Sequence, residues 1–197
     1  MSWTPYDRER PLKGLLKAIE LMEKNGGNII VEIGCMRMKF THDPHIDCPE
    51  CLACCDGHST AVFAKTGHTL YSVDIDSNAI NLAKNTIEEY KNANVIFNDG
   101  IQFIKNFTLK IDLLFADAWD VGLNNCAENH LKLYQVAIPK LSKSAVVVID
   151  DCDVDITDGQ LHLTKLKYGG KGRLIVPAMI KDGWNVVNTG RVVILTR

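Results

Sequence analysis

The sequence predicts a single α/β domain: a mostly parallel sheet built from five β-α units and closed by a terminal antiparallel hairpin. Three observations carry this. Short, β-branched apolar runs alternate with segments of helical period along most of the 197 residues. Four of the first five runs end in or beside a carboxylate: Asp74, Asp99, Asp117 and the pair Asp150-Asp151. The last two runs are joined by Asn188-Thr189-Gly190, a tight-turn composition that makes the C-terminus an antiparallel hairpin.

The elements follow in order. Leu12 to Asn25 places Leu12, Leu15, Leu16, Ile19 and Met22 on one helical face and stops at Gly26-Gly27. Asn28 to Gly34 (NIIVEIG) has the continuous apolar character of a strand buried on both faces. Helical pattern resumes at His58 to Lys65, and Thr69 to Val73 is the second strand. Ser77 to Tyr90 is expected as a helix with Ser77 as N-cap, and Val95 to Phe97 as a strand. Gly100 to Asn106 is a short helix, Ile111 to Ala116 a strand, and Asn129 to Pro139 a helix with an irregular entry. Ala145 to Ile149, Trp184 to Val187 and Val192 to Thr196 complete the strands. Asp155 to Gly172 is expected as a long polar loop. Its Lys165, Lys167, Lys171 and Arg173 read as a solvated positive face or as a contact to a substrate.

Hydrophobic residues make up 46% and charged residues 23%, ordinary for a soluble domain of one core. A formal charge of −2 and a pI near 6.3 argue against general attraction to nucleic acid or to an anionic membrane. The polar start of the chain does not read as a secretory signal, and no apolar stretch reaches the roughly 20 residues of a membrane span. A cytoplasmic protein is expected, with homodimerisation left open. Of seven cysteines, five (Cys35, Cys48, Cys51, Cys54 and Cys55) fall in one stretch, which suits reduced thiols or a metal site better than a disulfide framework.

Open α/β sheets bind ligands beyond the carboxyl ends of their strands. A carboxylate ending the second strand, here Asp74, can accept both hydroxyls of a ribose. Gly34 removes a side chain where backbone must come close to a ligand. The plainer alternative is that these acids cap the helices that follow them.

With these residues in place, the chain resembles the class I, Rossmann-like S-adenosylmethionine (SAM)-dependent methyltransferases from about Asn28 to Arg197. VEIG (Val31 to Gly34) looks like the start of the family's glycine-rich first motif, and DGHST (Asp56 to Thr60) like its end. YSVDID (Tyr71 to Asp76) is similar to the second motif, NDG (Asn98 to Gly100) to the third, and IDLLFADAWD (Ile111 to Asp120) to the fourth. The resemblance implies a three-layer sandwich with strand order 3-2-1-4-5-7-6. It further implies that SAM is held by Glu32, Gly34, Gly57, His58 and Ser59 from the first motif. Asp74 and Ile75 would follow at the ribose, Asp99 and Gly100 beside the adenine, and Asp117 facing methyl donor and acceptor. A small-molecule acceptor is expected.

Asp117 with Asp150 and Asp151 partly resembles the set that holds magnesium in catechol-type O-methyltransferases, where the fifth strand ends in Asp-Asn rather than Asp-Asp. On that reading Asp117 and Asp150 are catalytic, and Asp117, Asp150 and Asp151 bind Mg²⁺, which would acidify an acceptor hydroxyl. Alternatively Asp151 and Asp153 cap a loop and Asp117 only orients SAM or the acceptor. His130 and His162 are candidate general bases, or ordinary surface or core residues. Trp119 is either a wall of the acceptor pocket or a structural aromatic.

The departure from the family lies at residues 35–56, a Cys/His-rich insert of 22 residues between Gly34 and Gly57. Cys48-x2-Cys51-x2-Cys54-Cys55, with His42 and His45 nearby, has ligand types suited to Zn²⁺, or less directly to an iron–sulfur cluster. The two C-x2-C steps share Cys51, so a lid of packed, reduced cysteines is the preferred expectation. Two other functions stay open: a non-catalytic protein that binds SAM or a nucleoside, and a nicotinamide-dependent oxidoreductase. The second lacks its fingerprint, since Cys35-Met36-Arg37 follows Gly34 where G-x-G-x-x-G is required.

Overall fold

The structure, a computed structural model, describes residues 11–37 and 58–197. Gly57 and the cysteines and histidines of residues 38–57 lie outside the described residues, as do the zinc and lid expectations that rest on them.

Alternation along the strands decides the layers. In β1 (Ile29–Ile33), Ile30 packs into one core cluster while Val31 and Ile33 pack into another. In β5 (Leu141–Ile149), Val146 and Val148 join the first cluster, and Val147 and Ile149 the second. Successive side chains leave opposite faces of a strand, so two separate cores mean a sheet covered on both sides. One face is covered by α1 (Pro11–Lys24) and α2 (Ser59–Lys65), with α3 (Ser77–Thr86) over β2 (Thr69–Asp74) and β3 (Ala93–Phe97). The other is covered by α4 (Gly100–Asn106), α5 (Cys126–Ala137) and α6 (Gly172–Lys181).

The sheet runs β3-β2-β1-β4-β5-β9-β8, with β4 at Ile111–Ala116, β8 at Asn185–Asn188 and β9 at Val193–Thr196. The first five strands are parallel, and β9 is antiparallel to both β5 and β8. Within this sheet the order is the expected 3-2-1-4-5-7-6. The last two strands carry higher numbers because a separate hairpin intervenes: β6 (Val154–Thr157) and β7 (Gln160–Leu163). Among the described residues, no helix is long and apolar enough to cross a membrane.

Three local expectations are corrected. The segment read as a polar loop contains that hairpin, closed by Asp158 and Gly159 with φ of 52° and 74°. Both central residues with positive φ are the mark of a two-residue turn that matches strand twist. Next, α6 was not foreseen, because Pro177 interrupts its pattern. Finally, α3 is capped not by Ser77 but by Asp76, whose carboxylate accepts from Asn78 N–H at 2.8 Å. Its last turn is Thr86, short of the expected Tyr90.

Candidate active site

The carboxyl ends of β1, β2 and β4 surround a cleft of about 350 Å³. Gly34 ends β1 at φ +95°, and a Cβ there would lie 2.8 Å from the Ala118 nitrogen and 2.8 Å from the Asp117 carbonyl carbon. The glycine therefore permits the tips of β1 and β4 to meet and form the cleft floor, a close approach of backbone to backbone. Asp74 ends β2. Its Oδ2 accepts from Cys35 N–H at 2.9 Å and its Oδ1 from Asp76 N–H at 2.8 Å. Two amides from two turns thus fix the carboxylate, and each oxygen retains acceptor capacity. Ile75 follows with 68% of its surface exposed on the cleft wall. Asp99 also lines the cleft and caps α4, accepting from Gln102 N–H at 2.8 Å. Gly100 comes next, where a Cβ would strike Ile33 Cγ2.

Of the residues assigned to SAM from the sequence, Gly34, Asp74, Ile75, Asp99, Gly100 and Asp117 line this cleft together. Glu32, His58 and Ser59 do not. Glu32 shares the strand face of Ile30 and so points beneath α2, fully buried. Its Oε1 accepts from the Ser59 hydroxyl, and its Oε2 from the hydroxyls of Thr60 (2.7 Å) and Ser72. His58 is buried at the entry to α2.

Burial raises the Glu32 pKa from 4.5 to about 7, against the three hydroxyls, which lower it. Folding therefore shifts Glu32 towards its protonated form. Its stabilising contribution is complete below pH 4.5 and is lost as pH rises through about 7, a change of about 3 kcal/mol. Glu32→Gln should flatten that part of the stability–pH profile and raise stability at pH 8. Urea unfolding at pH 5 and pH 8 measures it, and an equal loss at both would show that the carboxylate acts in some other way.

Asp117, Asp150 and Asp151 do come together, each offering an oxygen within 4.8 Å of the others. They also carry their own cations. Lys171 Nζ donates to Asp117 Oδ1 (2.5 Å) and the Asp117 carbonyl (3.0 Å), and lies 3.0 Å from Asp151 Oδ2. Arg191 grips Asp150 through Nε–Oδ1 at 3.0 Å and Nη2–Oδ2 at 3.1 Å. Asp150 is 3% exposed and does not line the cleft. A donor set in which every carboxylate is already paired with an ammonium or a guanidinium does not fit a divalent ion. Burial raises the Asp117 pKa to about 7, although Lys171 opposes the rise. Burial also opposes the Lys171 charge, but the carboxylates of Asp117, Asp151 and Asp150 outweigh it and hold the ammonium above its ordinary value.

His130 is fully buried, donates from Nδ1 to the Cys126 carbonyl at 2.8 Å, and packs edge-on against Trp119. Burial, with Lys171 nearby, lowers its pKa to about 3, so it is a poor proton acceptor at neutral pH. His162 is exposed on β7. Trp119 lines the cleft at φ 49°, and Asp151 has φ 51°, so strained backbone sits at the ends of both β4 and β5. A second cavity of about 410 Å³ adjoins through Leu123 and includes Cys126, Glu128, Asp155, Ile156 and Arg173.

Sequence reasoning missed Lys171, Arg191 and Arg37. Lys171, expected on a solvated face or in contact with a substrate, is fully buried. The signal was its setting in Gly169-Gly170-Lys171-Gly172, where missing side chains let the backbone pack closely. Arg37 lines the cleft and pairs with Asp120 at 2.7 Å, both half exposed.

No protein-family model matches the chain, and comparison with curated protein sequences gives no match. Solved structures do resemble it. NSun6 from Pyrococcus horikoshii has a TM-score of 0.60 at 12% identity, covering 92% of this chain and 51% of that one. This chain therefore spans about half the length of that structure. The N-methyltransferase NodS from Bradyrhizobium japonicum has a TM-score of 0.57 at 13% identity, covering 97% and 98%. An O-methyltransferase from Bacillus cereus in complex with S-adenosylhomocysteine (SAH) has a TM-score of 0.56 at 15% identity, covering 95% and 81%. The fold is that of the class I SAM-dependent methyltransferases.

Proposed function

We propose that the chain is a SAM-dependent methyltransferase acting on a small molecule. The observation that carries it is the Asp74 carboxylate, fixed by two backbone amides at the tip of β2 inside the cleft that Gly34 opens. A ribose diol suits such a carboxylate, and the exposed face of Ile75 beside Asp99 and Gly100 suits a planar adenine. Asp117 and Trp119 then stand at the methyl-donor end. Methyl transfer is an in-line displacement at the sulfonium carbon, so the protein mainly aligns donor and acceptor and excludes water. The cavity beyond Leu123 is the acceptor's place in this reading, and its mix of Leu123, Ile156, Arg173 and Glu128 suits a small molecule with apolar and charged parts.

Asp117, which lines the cleft beside Trp119 and is held by Lys171, is the carboxylate we assign to face the acceptor. Titration calorimetry with SAM, SAH and NAD tests the ligand. SAM and SAH should bind and NAD should not, whereas tight NAD binding without SAM would replace this reading by an oxidoreductase. A screen of phenols, amines and thiols for SAH release then separates an enzyme from a SAM-binding sensor.

A further inference from the structure

We propose that Lys171 is the resident cation of the carboxylate cluster: its ammonium stands between Asp117 and Asp151 where a divalent ion would have to sit. Methyl transfer at this site is then metal-independent. The metal-independence rests on the methyltransferase reading, but the occupancy by an ammonium does not.

The geometry is that of an occupied site. Nζ lies 2.5 Å from Asp117 Oδ1 and 3.0 Å from both the Asp117 carbonyl and Asp151 Oδ2. The ammonium hydrogen-bonds twice to Asp117 and forms an ion pair with Asp151. Magnesium would need oxygens at about 2.0–2.1 Å and calcium at about 2.3–2.6 Å. The ammonium already draws on Asp117 Oδ1 and Asp151 Oδ2, oxygens that such an ion would need, and its charge would repel the ion.

The lysine is delivered by the chain on both sides of it. Gly170 has φ +41°, and a Cβ there would run into the Asp151 carbonyl oxygen. A Cβ on Gly172 would lie 2.5 Å from Cys152 Sγ. Only a backbone without side chains at both neighbours comes this near to the end of β5, and it brings a lysine side chain 1% exposed. The third carboxylate is withdrawn by Arg191, which binds both oxygens of Asp150. Three carboxylates against one ammonium and one guanidinium leave a single negative charge. Adding a divalent ion would reverse it to a single positive one in a buried place. Burying unmatched charge is costly.

The probe is Mn²⁺ alone, followed by the paramagnetic signal of the free ion in neutral buffer. Wild-type protein should bind no stoichiometric Mn²⁺ up to about 1 mM, the weak end of biological divalent sites. Lys171→Ala should gain roughly one equivalent, with a melting temperature that rises as Mn²⁺ is added. Asp117→Asn in that background should abolish the gain, and Lys171→Arg, which keeps the charge, should stay silent. One equivalent bound by wild type and lost in Asp117→Asn overturns the proposal. So does a folded Lys171→Ala that binds none, because the oxygens would then form no latent cation site. If Lys171→Ala folds only when Mn²⁺ is present, that dependence is itself the expected gain. If it folds under neither condition, the wild-type titration decides. These outcomes are read without SAM, so a failed SAM-binding experiment leaves them untouched.

Discussion

Asp74→Ala should weaken both SAM and SAH by about 1.5–3 kcal/mol, the range for hydrogen bonds to a charged group, or roughly 10- to 150-fold in dissociation constant. Both ligands should lose alike, because the ribose is common to them and the sulfonium is not. Asp74 also accepts from the Cys35 and Asp76 amides, so the substitution releases the β1 turn as well as the hydroxyls. Asp74→Asn separates the two effects. Its single carbonyl oxygen can keep one amide partner, while its NH₂ meets a hydroxyl as a donor rather than an acceptor. The expected order of affinity is wild type, then Asn, then Ala, with melting temperatures of the ligand-free proteins much closer together than the affinities. Unchanged SAM affinity in a folded Asp74→Ala would remove the ribose assignment and leave the fold intact.

How far the sequence could be read depends on how locally each feature is encoded. The parallel strands were legible because each is a run buried on both faces, and such runs need no knowledge of their neighbours. The cleft residues Gly34, Asp74 and Asp99 were legible because strand ends are where such folds bind ligands. The β6–β7 hairpin had its signal in Asp158-Gly159 but only four residues of alternation on either side. Pro177 hid α6 in the same way, by breaking a helical period that packing restores.

Side-chain direction was the harder part. Glu32 belongs to a motif that resembles a cofactor-binding one, yet its parity in β1 is that of Ile30, so it faces the core beneath α2. That alternation was available in NIIVEIG, and the motif resemblance pointed the other way. The partners of the acidic cluster were not available at all. The glycines around Lys171 signal close backbone packing there, but nothing local says that its side chain reaches Asp117 and Asp151, or that Arg191, after a hairpin turn, reaches Asp150. Pairing across the chain is a property of the closed sheet, and it gives each of the acids an ion-pair partner.

That change has its largest expected consequence for stability at Arg191. Side-chain exposures of 6% and 5% place the Arg191–Asp150 pair inside the protein, where the turn before β9 crosses the end of β5. Breaking a buried pair from one side strands a charge, so Arg191→Met should destabilise the fold by about 3–5 kcal/mol. Asp150→Asn alone should also be costly, because the guanidinium would keep only one full acceptor there, although Asp151 lies 3.7 Å from its Nε. The double variant Arg191→Met/Asp150→Asn should recover a large part of the single loss, since no stranded charge remains. Urea unfolding of all four proteins measures the coupling. Additive losses would mean that the pair contributes packing rather than charge compensation. Recovery would identify Asp150 as the residue that ties the antiparallel edge of the sheet to the cofactor side, and would leave Asp117 as the acid of this cluster that faces the cleft.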